Sequence, residues 1–426
     1  MAHEIDLASL DLAAIIRPGE HIVWGQGAGE PTPLIEKLLE QRHAIGHASV
    51  FLGGVRSKRT IRPEHADVLA FTSIGAMGNL QGLARAGMLR VVPVHLSQLS
   101  GYFERGIIPA DVVFVHLSAP DERGEYSFSL ANDFQQSALS RARVVIAEVN
   151  DQAPWTYCEG SIDPGRIDYI VRTSRPLAEV RAQPISAVEE TIARHVAAYI
   201  EDGTTIQIGV GAIPDAVLAI VGDRRDLGIH SGLISDRVAD LMQADVMTNA
   251  RKPIDTGIAV AASLLGTRKL YDFARRNPAV RLFPYSHTHS AGILSQLGKI
   301  VAINSAIEVD LTGQINAEIA AGVYIGGLGG QGDFVRGVQM ASEGRSIIAL
   351  PSTARDGAIS RIVARLEAGV VTTARCDADL IVTEFGAAEL RGQPFGERVK
   401  RMAAISHPKF RDALEHDAHA IARRGG

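Results

Sequence analysis

Thr205-Ile206-Gln207-Ile208-Gly209-Val210-Gly211-Ala212-Ile213-Pro214 reads as a buried strand, a glycine turn and the start of a helix. The apolar run is short and closed by glycine, the pattern of a core strand in an α/β sheet. Pro214 suits a first helical turn, where its missing N–H costs nothing. His21-Ile22-Val23-Trp24-Gly25-Gln26-Gly27-Ala28-Gly29-Glu30-Pro31 has the same form. Farther along each half, an apolar run leads to an Asp-x-x-Gly turn, Asp121 to Gly124 and Asp310 to Gly313. The echo predicts two similar α/β halves, 1–184 and 185–426, joined near Arg175 to Pro184. A ligand then belongs in the cleft between them.

Outward from these two stretches, short apolar runs at Val112 to Leu117, Val144 to Ala147, Ser346 to Leu350 and Leu380 to Thr383 read as further buried strands. Ser186 and Glu189 make a capping box for a helix running toward Gly203, with Val188, Ile192, Val196, Tyr199 and Ile200 on one face. Strands alternating with helices predict mostly parallel sheets.

Composition narrows the function classes. Lys+Arg 43 against Asp+Glu 48 gives a net charge of -5, with both signs dispersed, so no basic face for nucleic acid is visible. No apolar run is long enough to cross a membrane, and the first residues carry acids rather than a signal-peptide core. Cys158 and Cys376 form no C-x-x-C pair, which implies no metal and a reducing, cytoplasmic setting. Glycine at 42 of 426 residues exceeds the usual share of about 7% and predicts tight turns and backbone–ligand approaches.

Several segments could carry chemistry. The turn at Gly209 to Ile213 could bring bare N–H groups and a helix N-terminus to an anion, or be a tight turn that binds nothing. The run from Gly326 to Gly332 has five glycines in seven residues, an entropic cost that close ligand approach at Gly329 and Gly330 would explain. Asn304 to Leu311 alternates, with Ile307, Val309 and Leu311 on one face and the acids Glu308 and Asp310 on the other. Asp310 also has the look of a turn former. His287 and His289 have metal-ligand spacing but no third partner nearby in sequence, and read as polar loop histidines.

Taken in order, these stretches resemble the acetyl-CoA hydrolase/transferase family, the branch that includes 4-hydroxybutyrate CoA-transferases. The resemblance runs over nearly the whole chain. It is carried by Gly27 to Pro31, Gln207 to Pro214, Ile234 to Asp236, Gly266 to Phe273, Asn304 to Gln314, Gly329 to Arg336, Ala349 to Ala354, Ser360 to Val363, Val371 to Thr373 and Val382 to Gly386. It implies two CoA-transferase-type α/β domains, coenzyme A as a substrate with no other cofactor, an acyl-CoA and a small carboxylic acid as partners, and a homodimer or higher homo-oligomer. It also implies a CoA site at Gly209, Val210, Gly211, Ala212, Ile213, Ile307, Gly329 and Gly330. A short aliphatic or hydroxy acid fits the branch. A dicarboxylate would need a spare cation, for which Arg56 is a position to test.

The family reaction runs through a glutamate that attacks the thioester, becomes an acyl anhydride and then a glutamyl–CoA thioester. That glutamate belongs to a His-Thr-Glu-Met-like tetrad, which here is His230-Ser231-Gly232-Leu233. Glycine stands where the nucleophile is expected. Three readings stay open. Glu308 or Glu30 acts in its place, Glu30 helped by a helix N-terminus. Alternatively a carboxylate serves as general base for water, making a thioesterase. Or the chain binds CoA without turnover.

Overall fold

The computed structural model describes residues 2–54, 61–367 and 369–423. Two sheets dominate. The first has eight strands, all parallel: His3–Glu4, Tyr169–Thr173, Val144–Asn150, Val112–Ser118, His21–Trp24, Ala48–Leu52, Leu69–Ser73 and Leu89–Val91, in that spatial order. The second runs Gly228–Ile229, Thr205–Ile208, Lys299–Asn304, Glu343–Ala349, Leu380–Thr383 and Gly386–Glu389, parallel except for the last pair. Every residue of Val112–Ser118 and Val144–Asn150 is buried, as expected for parallel strands covered on both faces.

The echo in the sequence is an echo in topology. In each sheet the echoed strand has on one side the strands that directly follow it, three in the first sheet and one in the second, and on the other side those added after the chain crosses over, with the short strand His3–Glu4 at the far edge of the first sheet. His21–Trp24 is flanked by Ala48–Leu52 and Val112–Ser118, and Thr205–Ile208 by Gly228–Ile229 and Lys299–Asn304. The Asp-x-x-Gly turns match as well. Asp121 Oδ1 accepts from the N–H groups of Arg123 and Glu125, and Asp310 Oδ1 from those of Thr312 and Gln314. Gly124 and Gly313 both adopt positive φ, at 80° and 94°. The join predicted at 184/185 falls in the stretch between the last strand of the first sheet and helix Ala187–Ala197.

That helix carries the predicted capping box, with Ser186 and Glu189 bonding each other's backbone N–H. It ends at Ala197 rather than near Gly203, so Tyr199 and Ile200 lie in the turn beyond it. Val188 is exposed while Ile192, Ala193, Val196 and Ala197 form the buried face. The run Asn304 to Leu311 is two strands, not one. Lys299–Asn304 lies inside the parallel sheet, and Glu308–Asp310 pairs antiparallel with Ile315–Asn316. Ser305 turns the chain between them and donates its hydroxyl to the carbonyl of Ala349. Among the described residues no helix is long and apolar enough to cross a membrane.

Candidate active site

Where strand order reverses in a parallel sheet, loops leave in opposite directions and open a crevice at the carboxyl ends. Each sheet has one such point, and both face the same cavity of about 320 Å³. Gln26, Gly27 and Ala28 enter from the end of His21–Trp24, and Gly54, Ile74 and Met77 from the neighbouring strand ends. Opposite them stand Gln207 to Val210, Gly232 and Asn304 from the second sheet. The Gly209 turn and its earlier echo, matched by sequence alone, are therefore two walls of one site.

The halves are tied around this cavity. Gln26 donates through Nε2 to the hydroxyl of Tyr285 and accepts from the Gly54 N–H at 3.1 Å. Asp333, in the first turn of helix Gln331–Gln339, accepts from the N–H of Ser97 at 3.1 Å and from its hydroxyl at 2.6 Å. Gly75 and Gly327 form a bridge.

These contacts account for most of the glycine-rich run. A Cβ on Gly326 would stand 2.2 Å from the Ala317 carbonyl oxygen, one on Gly327 3.0 Å from that of Ile74, and one on Gly332 2.5 Å from the His95 ring. The protein itself, rather than a ligand, excludes side chains there. Gly329 is different. It sits at φ +54 with nothing within 4 Å of its Cβ position, and it lines the cavity beside Gly330.

Gly330 and Gly232 meet one residue that sequence reasoning set aside. His289 is buried and lines the cavity. A Cβ on Gly330 would lie 2.3 Å from its Nε2, and a Cβ on Gly232 3.1 Å from the same atom. Thr288 Oγ1 lies 2.8 Å from Nδ1 and fixes the ring from behind, with Tyr285 edge-on and Phe334 tilted against it. Burial pushes its pKa down to about 3, so the imidazole is neutral at ordinary pH. The His287-x-His289 spacing gives no sign of this histidine's burial. Its place depends on glycines 57 and 41 residues away in sequence.

The expected site residues divide. Gly209, Val210, Gly329 and Gly330 line the main cavity. Gly211 lines an adjoining recess of about 190 Å³ that shares Gly209, Val210, Leu233 and Leu265 and carries Arg181 and Arg237 in its wall. Ala212 and Ile213 form the first turn of helix Ala212–Ile220 behind it. Ile307, Glu308 and Glu30 are not among the described residues lining the main cavity. The short antiparallel ladder turns Glu308 to Asn316, whose Nδ2 donates to its carboxylate at 3.0 Å. Ile307 donates its N–H to the Asn316 carbonyl in the same ladder. Glu30 is buried beside the first-half loop, its carbonyl accepting from Arg175. Asp310 is the turn former expected of it. Arg56 lies outside the described residues.

Below Gly232, His230, Asp255 and His287 bring ligand atoms within 4.8 Å of one another. His287 Nε2 pairs with Asp255 at 3.0 Å, and His230 Nε2 with the Thr288 carbonyl at 3.1 Å. The ammonium of Lys252 acts on both His230 and Asp255, so a metal cation in that cluster would meet a like charge.

The main cavity is uncharged among its described residues. Gln26, Gln207, Asn304, Gln331, Ser263, Tyr285 and His289 are its polar members, against Ile74, Met77, Leu96, Leu264, Leu328 and Phe334. Burial raises the Tyr285 pKa well above the usual phenol value, so the phenol stays neutral. The start of helix Gln331–Gln339 supplies first-turn N–H groups with no partner inside the helix. The arrangement can hold an oxyanion. Among its described residues it offers no carboxylate for covalent attack.

Comparison with known proteins agrees with this geometry. The acetyl-CoA hydrolase/transferase N-terminal domain model matches residues 7–180, and the C-terminal domain model of the same family matches 266–418. The chain is 36% identical over 398 residues to a 4-hydroxybutyrate coenzyme A transferase of Clostridium kluyveri, covering 93% of each. It is 34% identical to a succinyl-CoA:cyclohexane-1-carboxylate CoA transferase of Geobacter metallireducens, over 97% of this chain and 95% of that protein. Among solved structures, RipA from Yersinia pestis superposes with a TM-score of 0.92 at 32% identity, covering 99% of this chain and 98% of that one. Sequence matches over nearly the full length and a cavity built by two echoing switch points lead to one conclusion: the chain belongs to the acetyl-CoA hydrolase/transferase family.

Proposed function

We propose that the protein is a CoA-transferase that moves CoA from an acyl-CoA to a short carboxylic acid. The observation that carries this reading is the cavity between the two sheets, uncharged among its described residues and walled by the Gly209 turn and the Gly329–Gly330 loop. The relatives matched over most of their length are named as CoA transferases acting on 4-hydroxybutyrate, succinate, acetate or butyrate. In this reading the thioester lies against Gly209 and Val210. Its carbonyl oxygen meets N–H donors at the start of helix Gln331–Gln339, which stabilise the charge that develops on attack. The apolar wall of Ile74, Leu96, Leu328 and Phe334 takes the short acyl chains and keeps water from the activated intermediate. The recess at Gly211 takes the anionic part of CoA, with Arg181 and Arg237 as its cations. The reaction proceeds in a reducing, cytoplasmic setting with Cys158 and Cys376 as free thiols, and in a homo-oligomer as the family resemblance implies.

The test follows two products at once. Purified protein is given a short acyl-CoA and a panel of monocarboxylic acids, and new acyl-CoA and free thiol are both measured. New acyl-CoA formed well above thiol release is expected. Thiol release independent of the added acid would make the protein a hydrolase, and neither product would leave it a binding protein.

A further inference from the structure

Among its described wall residues the cavity has no carboxylate that could carry CoA as a thioester. None of its described wall residues is Asp or Glu. The residues outside the described set, Met1, Val55 to Thr60, Ala368 and Arg424 to Gly426, contain no Asp or Glu either. At the position facing both glycine loops stands Gly232, and the space a side chain would enter is bounded by the fixed ring of His289 at 3.0 Å and by Phe334 at 4.0 Å. Glu308 is engaged by Asn316, and Glu318 by Tyr324 and Thr372, so the acids of the 308–318 segment are held in their own local network.

We infer that the acceptor acid is itself the nucleophile, its carboxylate attacking the acyl-CoA directly inside the cavity with both substrates bound together. This rests on the CoA-transferase reading. A carboxylate oxygen of the acceptor bonds to the thioester carbonyl carbon, the C–S bond breaks, and CoA leaves as thiolate. The product is a mixed anhydride of the two acids. The thiolate then attacks the acceptor's carbonyl carbon of that anhydride, the C–O bond breaks, and the donor acid leaves as carboxylate. No proton, oxidant or enzyme atom enters the balance.

The geometry suits this route in two ways. The described wall carries no charge, so it exerts no like-charge repulsion on the incoming anion, as a fixed carboxylate would. Gln26, Asn304, Gln331 and Ser263 offer neutral polar groups around the space. Holding the thioester and the acceptor carboxylate together in one cavity supplies the proximity that a covalent relay otherwise provides.

Intact-protein mass spectrometry after mixing the wild-type protein with acyl-CoA alone, together with initial rates over a grid of both substrates, tests the inference. An unmodified mass and intersecting double-reciprocal lines are expected, because both substrates must be present before any bond breaks. A CoA-sized mass increase, or parallel lines, overturns it and returns the reaction to an enzyme carboxylate, which peptide mapping would identify. Absence of transfer under any acid tried would instead refute the CoA-transferase reading beneath it.

Discussion

Gly232→Ala probes the contact on which the site's shape depends. The added methyl would lie 3.0 Å from His289 Cε1 and 3.1 Å from Nε2, a few tenths of an ångström inside ordinary contact. The ring cannot easily retreat, because Thr288 Oγ1 holds Nδ1 at 2.8 Å and Phe334 packs with its ring centre 4.6 Å away. Overpacking of this kind costs about 1–3 kcal/mol. Replacing glycine by alanine at an unstrained position returns about 0.4–1 kcal/mol through the unfolded chain. The net expectation is a loss of about 1–2 kcal/mol in the wild-type background. In a His289→Ala background the clash is gone, and the same change should be neutral or stabilising. The coupling energy is therefore about 2 kcal/mol, well above the ~0.5 kcal/mol within which independent sites add. Urea midpoints of the four proteins, analysed with a common m value, measure it. If Gly232→Ala costs the same with and without the imidazole, His289 does not bound the nucleophile position and the cavity is misdescribed.

Gly209→Ala adds a methyl whose nearest neighbour is the Ile303 carbonyl oxygen at 3.8 Å, so stability should hold within about 1 kcal/mol while CoA affinity falls about tenfold by calorimetry. Gly211→Ala should instead destabilise by about 1–3 kcal/mol, because φ +139 is a glycine conformation; equal urea midpoints for the two variants would contradict the geometry. Burial raises the Asp133 pKa to about 6, above its unfolded value near 3.9. The native state then binds the extra proton, and this group's favourable contribution is present below pH 4 and lost as pH rises through 6. Asp133→Asn should accordingly gain about 1–3 kcal/mol relative to wild type between pH 4 and 7, and a pH-independent difference would refute the assignment. Arg175→Met should cost about 3–5 kcal/mol by stranding the fully buried carboxylate of Glu148, which Arg175 holds at 2.6 and 3.0 Å; a loss below 1 kcal/mol in urea unfolding would contradict it.

Local signals in the chain carried far. The Ser186–Glu189 capping box, the Asp310 turn and the two strand–glycine stretches each depend on residues within a few positions of one another, and each stands where the pattern placed it. What escaped depends on distant partners. The glycine run looked like a ligand cradle because Gly75, His95 and Ala317, the groups that require Gly327, Gly332 and Gly326, are invisible from the run itself. His289 looked like a loop histidine because its burial comes from Gly232 and Gly330 closing over it. Glu308 looked cleft-facing because alternation was carried through Ser305, where the chain leaves the parallel sheet and starts a ladder of its own. The glycine at the expected nucleophile position, by contrast, was legible from Gly232 alone; that no Asp or Glu stands among the described wall residues needed the cavity.

The central claim is that an oxygen of the acceptor acid passes straight to the donor acid. A single turnover with enzyme in excess over acyl-CoA, using an acceptor carboxylate labelled with ¹⁸O in both oxygens, reads this directly. The account predicts one ¹⁸O in the donor acid released in that first turnover, carried through the bridging oxygen of the mixed anhydride. Unlabelled donor acid, with the label retained on the protein or in the new acyl-CoA alone, would mean that an enzyme carboxylate attacks first, and would contradict it.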